Sequence, residues 1–317
     1  MSRRHALAAV ATLLAAYALF RVAVVARVRR FERFDADAET LPGLRLYVRG
    51  RRVHLRVEGH GPPLLLVHGF GGSGFTFRRL APLLGEQYTL IAPDLPGFGY
   101  SDRSPAADYS HEAQAAFLVD LLDRLGVQQT AVAGHSIGAA ISLRLAAAAP
   151  ERVAALILVN GPGDQDPVAP RWSRPAVTVL APILGESRRF YRWAYRSALA
   201  VPSLLDEEAL EGYFAVARVR GNAATMVTIL SRTRHGPLPA PERITMPVLI
   251  LTGASDGYLS PARARALAAR FPDAEAMVIP EAGHLVVEEQ PEHSAAAIGG
   301  FLTRTGYAFS EQGTHPA

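Results

Sequence analysis

The 317-residue chain contains no cysteine, which excludes disulfides, thiol nucleophiles and cysteine metal sites together. It contains no lysine either, so all 33 basic residues are arginine. Schiff-base chemistry, Ser-Lys dyads and the phosphate-binding loop lysine are therefore ruled out. Charge is modest, with 20% charged against 49% hydrophobic residues, the balance of a chain that buries a core rather than a disordered one. The length suits one large α/β domain with an insertion, or two modest domains.

The net charge of +4 is unevenly spread. Residues 1–60 carry 12 arginines against 5 acids, whereas the rest carry 21 against 24. The excess borders an apolar N-terminal segment and reads as a membrane-flanking feature, so nucleic acid is not an expected partner. Ala6 to Ala26 is apolar except for Thr12 and Arg21, and as a helix it would reach ~31 Å, about one bilayer core. A membrane anchor, a cleaved signal peptide and a buried helix compete for this segment. No polar face interrupts Ala6 to Phe20, which argues against the buried helix. Arg27, Arg29, Arg30 and Arg33 directly after it disfavour cleavage and export. Residues 1–30 are accordingly expected to be a single-pass membrane anchor, with the body of the chain leaning to the cytoplasmic side, and residues 31–43 a linker ending in Pro42-Gly43. The composition leaves the oligomeric state open.

Beyond the linker, short apolar runs alternate with helical periodicity. Leu44 to Val48 and Arg52 to Val57 alternate apolar residues with arginine around Gly50-Arg51, as an exposed hairpin would. Leu64 to Val67 reads as a strand buried on both faces. It runs into His68-Gly69-Phe70-Gly71-Gly72-Ser73-Gly74, whose glycines let amide groups converge on one point. With no lysine present, an oxyanion loop is the better reading than a nucleotide loop. Thr89 to Ala92 leads to Asp94 in a turn-rich stretch, where a structural cap role is expected. His111 to Leu125 has helical spacing and stops at Gly126.

The chain is then organised around Gly134-His135-Ser136-Ile137-Gly138. The strand Thr130 to Ala133 precedes it, and a small-residue helix, Ala139 to Ala149, follows and stops at Pro150. Strand, Gly-x-Ser-x-Gly and helix form a nucleophile elbow, in which only glycine-sized neighbours fit the turn. The pentapeptide alone is weak, because chance supplies one in roughly one chain in ten of this length. A serine hydroxyl also needs a base and an orienting acid. Ala154 to Val159 closes on Asn160-Gly161-Pro162, after which strand–helix alternation pauses. That interval, 163–240, holds both tryptophans, Trp172 and Trp193, together with Phe190, Tyr191, Tyr195, Tyr213 and Phe214. It is expected to be a helical subdomain, a lid, or both, with aromatics lining an apolar pocket above Ser136. Pro247 to Thr252 and Ala274 to Ile279 resume the buried-strand pattern and deliver Asp256 and His284 just past their ends. A helix over Pro291 to Thr303 closes the chain before a loose tail, 305–317. His68 and His135 read as packing residues, and His235 and His293 as solvated ones. No His-Glu-x-x-His motif or carboxylate cluster points to a metal, and no cofactor is expected.

The order Ser136, Asp256, His284, with His68-Gly69-Phe70 and Asp94-Leu95-Pro96-Gly97-Phe98-Gly99 upstream, resembles the α/β-hydrolase superfamily. The likeness is to its lidded serine esterase and lipase-like group and spans about residues 44–304. It implies an α/β fold: a mostly parallel eight-stranded sheet with helices on both faces, a core of 44–162 and 241–304, and a helical lid at 163–240. It further implies Ser136 as nucleophile, His284 as general base and then acid, Asp256 as the residue holding the imidazole, and the backbone N–H groups of Phe70 and Ile137 as the oxyanion hole. Some relatives place an acid where this chain has Asn160, which leaves that role here to Asp256. Serine rather than aspartate at 136 argues against the dehalogenase and epoxide-hydrolase branches. The expected reaction is hydrolysis of a small-molecule ester or lipid-like substrate, with an apolar acyl group, through an acyl-enzyme. Cofactor-free perhydrolysis, C–C bond hydrolysis with the same triad, and a non-catalytic small-molecule receptor stand as alternatives.

Overall fold

The computed structural model describes residues 3–34, 42–162, 174–231, 233 and 235–307. Most of the expected linker (35–41), the start of the helical interval (163–173, with Trp172) and the end of the tail (308–317) lie outside the described residues.

Eight strands form one sheet: β1 (Leu44–Val48), β2 (Arg51–Glu58), β3 (Pro63–Val67), β4 (Thr89–Pro93), β5 (Thr130–His135), β6 (Val153–Val159), β7 (Val248–Gly253) and β8 (Ala274–Ile279). Their spatial order is β1-β2-β4-β3-β5-β6-β7-β8. The pairs β1/β2 and β2/β4 are antiparallel, and the other five are parallel, as expected of a mostly parallel eight-stranded sheet. One detail differs from the expectation. The first hairpin is not exposed throughout, because β2 also pairs with β4, and Val53, His54 and Leu55 are buried.

The described helices are α1 (Arg3–Phe31), α2 (Ala81–Leu84), α3 (His111–Arg124), α4 (Ile137–Ala148), α5 (Arg174–Gly185), α6 (Arg188–Ala198), α7 (Glu207–Ala215), α8 (Asn222–Ser231), α9 (Pro261–Ala268), α10 (Val286–Glu289) and α11 (Pro291–Arg304). The two-residue period of the central strands divides their side chains between the two faces. Val132, Leu156, Leu158, Val248 and Ile250 meet Leu118, Leu121 and Leu122 of α3 and Ile141 and Leu145 of α4. Ala131, Ala133, Ile157, Leu249 and Leu251 meet Ile298, Phe301 and Leu302 of α11 and Leu84 of α2. Both faces are covered, which is why these strands read as unbroken apolar runs. Each such side chain contributes about 1.5–3 kcal/mol on burial, so the strand ends that carry the loops rest on the most strongly held part of the molecule.

The N-terminal segment does not form the expected membrane anchor: among the described residues, no helix is long and apolar enough to cross a membrane. With the anchor goes the cytoplasmic-side reading built on it. The segment lies within α1, whose helix runs on into arginines and meets the rest of the fold at its C-terminal end. Arg27 pairs with Glu186 at 2.5 Å, the Phe31 ring lies 5.7 Å from that of Phe214, and Glu32 accepts from the amides of Gly221 and Ala223. Phe34 forms a β-bridge with Val219.

Helices α5–α8 sit between β6 and β7. Ser187 caps α6 by accepting from the Phe190 amide, and Asp206 caps α7 by accepting from Ala209, each such cap contributing about 1 kcal/mol. The aromatic residues of this interval pack on one another. Tyr195 stacks on Tyr213 at 4.0 Å, and Tyr191 meets Phe214 edge to face at 5.3 Å.

Candidate active site

At the end of β5 the chain passes into α4 through one residue. Ser136 therefore takes φ 55° and ψ −118°, a conformation L-residues rarely adopt. Close approach explains the flanking glycines. A Cβ on Gly134 would lie 2.3 Å from the Gly138 carbonyl oxygen, and one on Gly138 would lie 2.2 Å from that of Val67. Ile137 is the first residue of α4, so its N–H has no acceptor within the helix. The loop after β3 passes directly beside the serine, since a Cβ on Gly69 would lie 3.1 Å from the Ser136 Cβ. Phe70 follows in that loop.

β7 and β8 bring the other two residues to the same sheet edge. His284 Nε2 lies 3.0 Å from Ser136 Oγ, and its Nδ1 lies 3.2 and 3.3 Å from the two Asp256 oxygens. With Nδ1–H donating to the carboxylate, Nε2 is the acceptor that faces the serine hydroxyl. Asp256 is itself tightly held. Its Oδ1 accepts from the Tyr258 amide at 2.7 Å, and its Oδ2 accepts from Asn160 Nδ2 at 2.7 Å. Burial pushes this carboxyl up, but His284, Asn160 and the Tyr258 amide together outweigh it and hold the group below the ordinary aspartate value. Asn160, noted in the sequence only for not being an acid, thus anchors Asp256. It also donates to the Gly283 carbonyl at 3.2 Å.

The other histidines fall into distinct roles. His68 Nε2 accepts from the Leu95 amide, while Nδ1 faces the Gly69 carbonyl. His135 Nε2–H donates to the His284 carbonyl at 2.7 Å, and burial together with the neighbouring His284 lowers it to about 3. Both are buried packing residues, as read from the sequence. Asp94 holds turns together: it accepts from the amides of Gly74 and Tyr100 and pairs with His54 at 2.9 Å. His293 is exposed. His235, in contrast, is not a solvated residue. Its ring stacks 3.7 Å from that of His111, and its Nδ1 accepts from the His111 amide.

That histidine pair borders a cavity of about 390 Å³, counted with its opening to solvent. Phe70 and Ile137, the two oxyanion candidates, line it together with Phe98, Ile141 and Ile229. Among the described residues, the helical interval supplies Ile229, Leu230 and His235 to this wall and none of its aromatics. The rings on this wall, Phe70, Phe98 and Tyr109, come from the sheet-edge loops instead, while the described aromatics of the helical interval contact one another, as Tyr195 does Tyr213.

The loop bearing His284 is tied to the helical interval. The His284 amide donates to the Ala198 carbonyl at 2.8 Å. The buried Glu289 carboxylate accepts from Gly283 at 2.7 Å and from Ala200 at 2.6 Å. Its neighbour Glu288 pairs with Arg78 at 3.0 Å, and burial pushes the Glu288 carboxyl up to about 7 against the pull of that arginine.

The model of the alpha/beta hydrolase fold matches residues 62–291. The chain is 30% identical over 275 residues to Lipase 3 of Moraxella sp. (strain TA144), covering 85% of this chain and 86% of that one. It is 29% identical over 288 residues to the uncharacterized hydrolase YugF of Bacillus subtilis, covering 88% and 98% respectively. Among solved structures, a thermophilic esterase from Thermogutta terrifontis superposes with a TM-score of 0.70 at 26% identity, over 83% of this chain and 99% of that one. With its mostly parallel eight-stranded sheet and a serine, a histidine and an aspartate meeting at one edge, the chain is a hydrolase belonging to the α/β-hydrolase-fold family.

Proposed function

We propose that the protein is a serine hydrolase that cleaves carboxylic esters through an acyl-enzyme, with Ser136, His284 and Asp256 as its catalytic residues. The observation that carries this reading is the continuous contact from Ser136 Oγ to His284 Nε2 at 3.0 Å and from Nδ1 to Asp256. As Oγ attacks the ester carbonyl carbon, its proton passes to Nε2, and the buried carboxylate stabilises the imidazolium that forms. The N–H groups of Phe70 and Ile137 receive the oxyanion, a donor pair of which each member contributes about 10²- to 10³-fold in rate. Collapse of the tetrahedral species breaks the C–O bond. The alcohol leaves with the proton from Nε2, and water enters by the same route to release the acid. Helices α5–α8 act as a cover over this chemistry, and the aliphatic wall formed by Ile141 and Ile229 suits an apolar arm of the ester. The lipase and esterase relatives support this class of substrate.

A fluorophosphonate probe with in-gel detection tests the proposal. Wild type should be labelled and Ser136→Ala should not, and hydrolysis of p-nitrophenyl esters should disappear in the same variant. Equal labelling of both proteins would reject the assignment of Ser136.

A further inference from the structure

The cavity lined by Phe70 and by Ile137, the residue after Ser136, is apolar along most of its wall, but Gln114, His111 and His235 give it one polar pole. Gln114 is buried, and its amide orientation is fixed because Nε2 donates to the Pro96 carbonyl at 2.9 Å. Reversing the amide would set two carbonyl oxygens against each other. The Oε1 atom is then a buried acceptor with no hydrogen-bond partner among the described residues. Buried acceptors are rarely left unsatisfied, and those that are call for a ligand or water.

Among the described residues, no arginine or carboxylate side chain lines this pole. His235 Nδ1 accepts from the His111 amide. Burial, with His235 and Arg144 alongside, lowers His111 to about 3, which keeps it neutral. Arg144 is occupied by Glu112 at 2.7 Å and by the carbonyls of Ala140 and Gly236. No carboxylate lines the cavity among the described residues, so nothing there would balance an ammonium group.

Resting on the ester-hydrolase reading above, we propose that this cavity selects esters with an apolar arm bearing a neutral hydrogen-bond donor, a hydroxyl above all, which Gln114 Oε1 receives. Gln114 is then a specificity-determining residue. A plain alkyl arm would leave the acceptor unpaired, the situation in which a binding site discriminates most strongly.

The test compares matched pairs: p-nitrophenyl hexanoate against its ω-hydroxy derivative, and hexyl acetate against hexanediol monoacetate. The two pairs place the hydroxyl on the acyl and on the alcohol side. In one of them, the hydroxylated ester should be preferred about tenfold in kcat/KM, equivalent to about 1.4 kcal/mol. Gln114→Met should bring that ratio to about one. Should this variant fail to fold, the Kd values of the same pairs with Ser136→Ala decide instead, and equal affinities overturn the proposal. A ratio near one in both pairs, with turnover that still depends on Ser136, overturns this inference and leaves the ester reading intact. Absence of turnover on every ester overturns both.

Discussion

Gly138→Ala probes the link between packing and chemistry at the elbow. A Cβ there would lie 2.2 Å from the Val67 carbonyl oxygen, 2.6 Å from that of His68 and 2.8 Å from the Val67 carbonyl carbon. All three are backbone atoms of β3 and the loop that follows it, so no flexible side chain can yield. To reach an ordinary contact, that backbone must retreat from α4 by about 1 Å, since oxygen and carbon rarely approach within ~3.3 Å. Overpacking of this kind costs about 1–3 kcal/mol, offset by up to about 1 kcal/mol because alanine is the better helix former. The net loss of up to about 3 kcal/mol lowers Tm by up to roughly 4–5 °C in a chain of this size. The same retreat carries Phe70 N–H away from the developing oxyanion, and a misplacement of about 1 Å costs on the order of 10²-fold in rate. On p-nitrophenyl esters, kcat should therefore fall about 10²-fold with a much smaller change in KM. Gly185→Ala, where a Cβ meets nothing within 4 Å, should change neither quantity. A Gly138→Ala enzyme that melts several degrees lower but keeps kcat within threefold would refute the reasoning, because the loop would then have moved without disturbing the reaction.

Asn160→Ala removes a hydrogen bond to the Asp256 carboxylate. Bonds to charged groups contribute about 1.5–3 kcal/mol, so kcat/KM should drop about 10- to 100-fold, and an unchanged value would show that the Tyr258 amide alone suffices. Glu288, raised to about 7 in the fold from about 4.3 when unfolded, binds more protons folded than unfolded between those values. Its contribution to stability must then decrease as pH rises through that window, by at most about 3–4 kcal/mol. Chemical denaturation from pH 4 to 8 should show wild type losing stability relative to Glu288→Gln as pH increases, and a constant difference would contradict the raised value. The aspartate shows the opposite sign. Because Asp256 is held below its ordinary value, its ionised contacts stabilise the fold above the unfolded pKa of about 3.9 and are lost as pH falls below it. The stability difference between wild type and Asp256→Asn should accordingly shrink on acidification below about pH 4.

What the sequence made legible was whatever has a short period or a fixed local geometry. The strands buried on both faces announced themselves as apolar runs, and Gly134 and Gly138 marked the elbow because sterics at a single turn demand them. Asp256 and His284 could be found because each follows directly on such a strand. Contacts made by topology alone were out of reach. His111 and His235 are 124 positions apart, and nothing local to His235 distinguishes it from a solvated histidine. Asn160 was visible only as a missing acid, since the carboxylate it holds lies 96 positions away. The N-terminal apolar run was misread for a related reason: hydropathy reports the absence of polar residues but not the Phe214, Glu186 and Gly221 contacts that meet the end of α1.

Glu289 ties the helical interval to the loop that carries His284. Its one carboxylate joins the backbone just before His284 to the turn that follows α6, and His284 itself reaches the last residue of that helix. Were α6 to swing outward to admit a bulky guest, it would have to surrender these bonds or drag the imidazole with it. The position of this ring is therefore set from two sides, by the sheet edge through Asp256 and by the end of α6 through the backbone of its own loop.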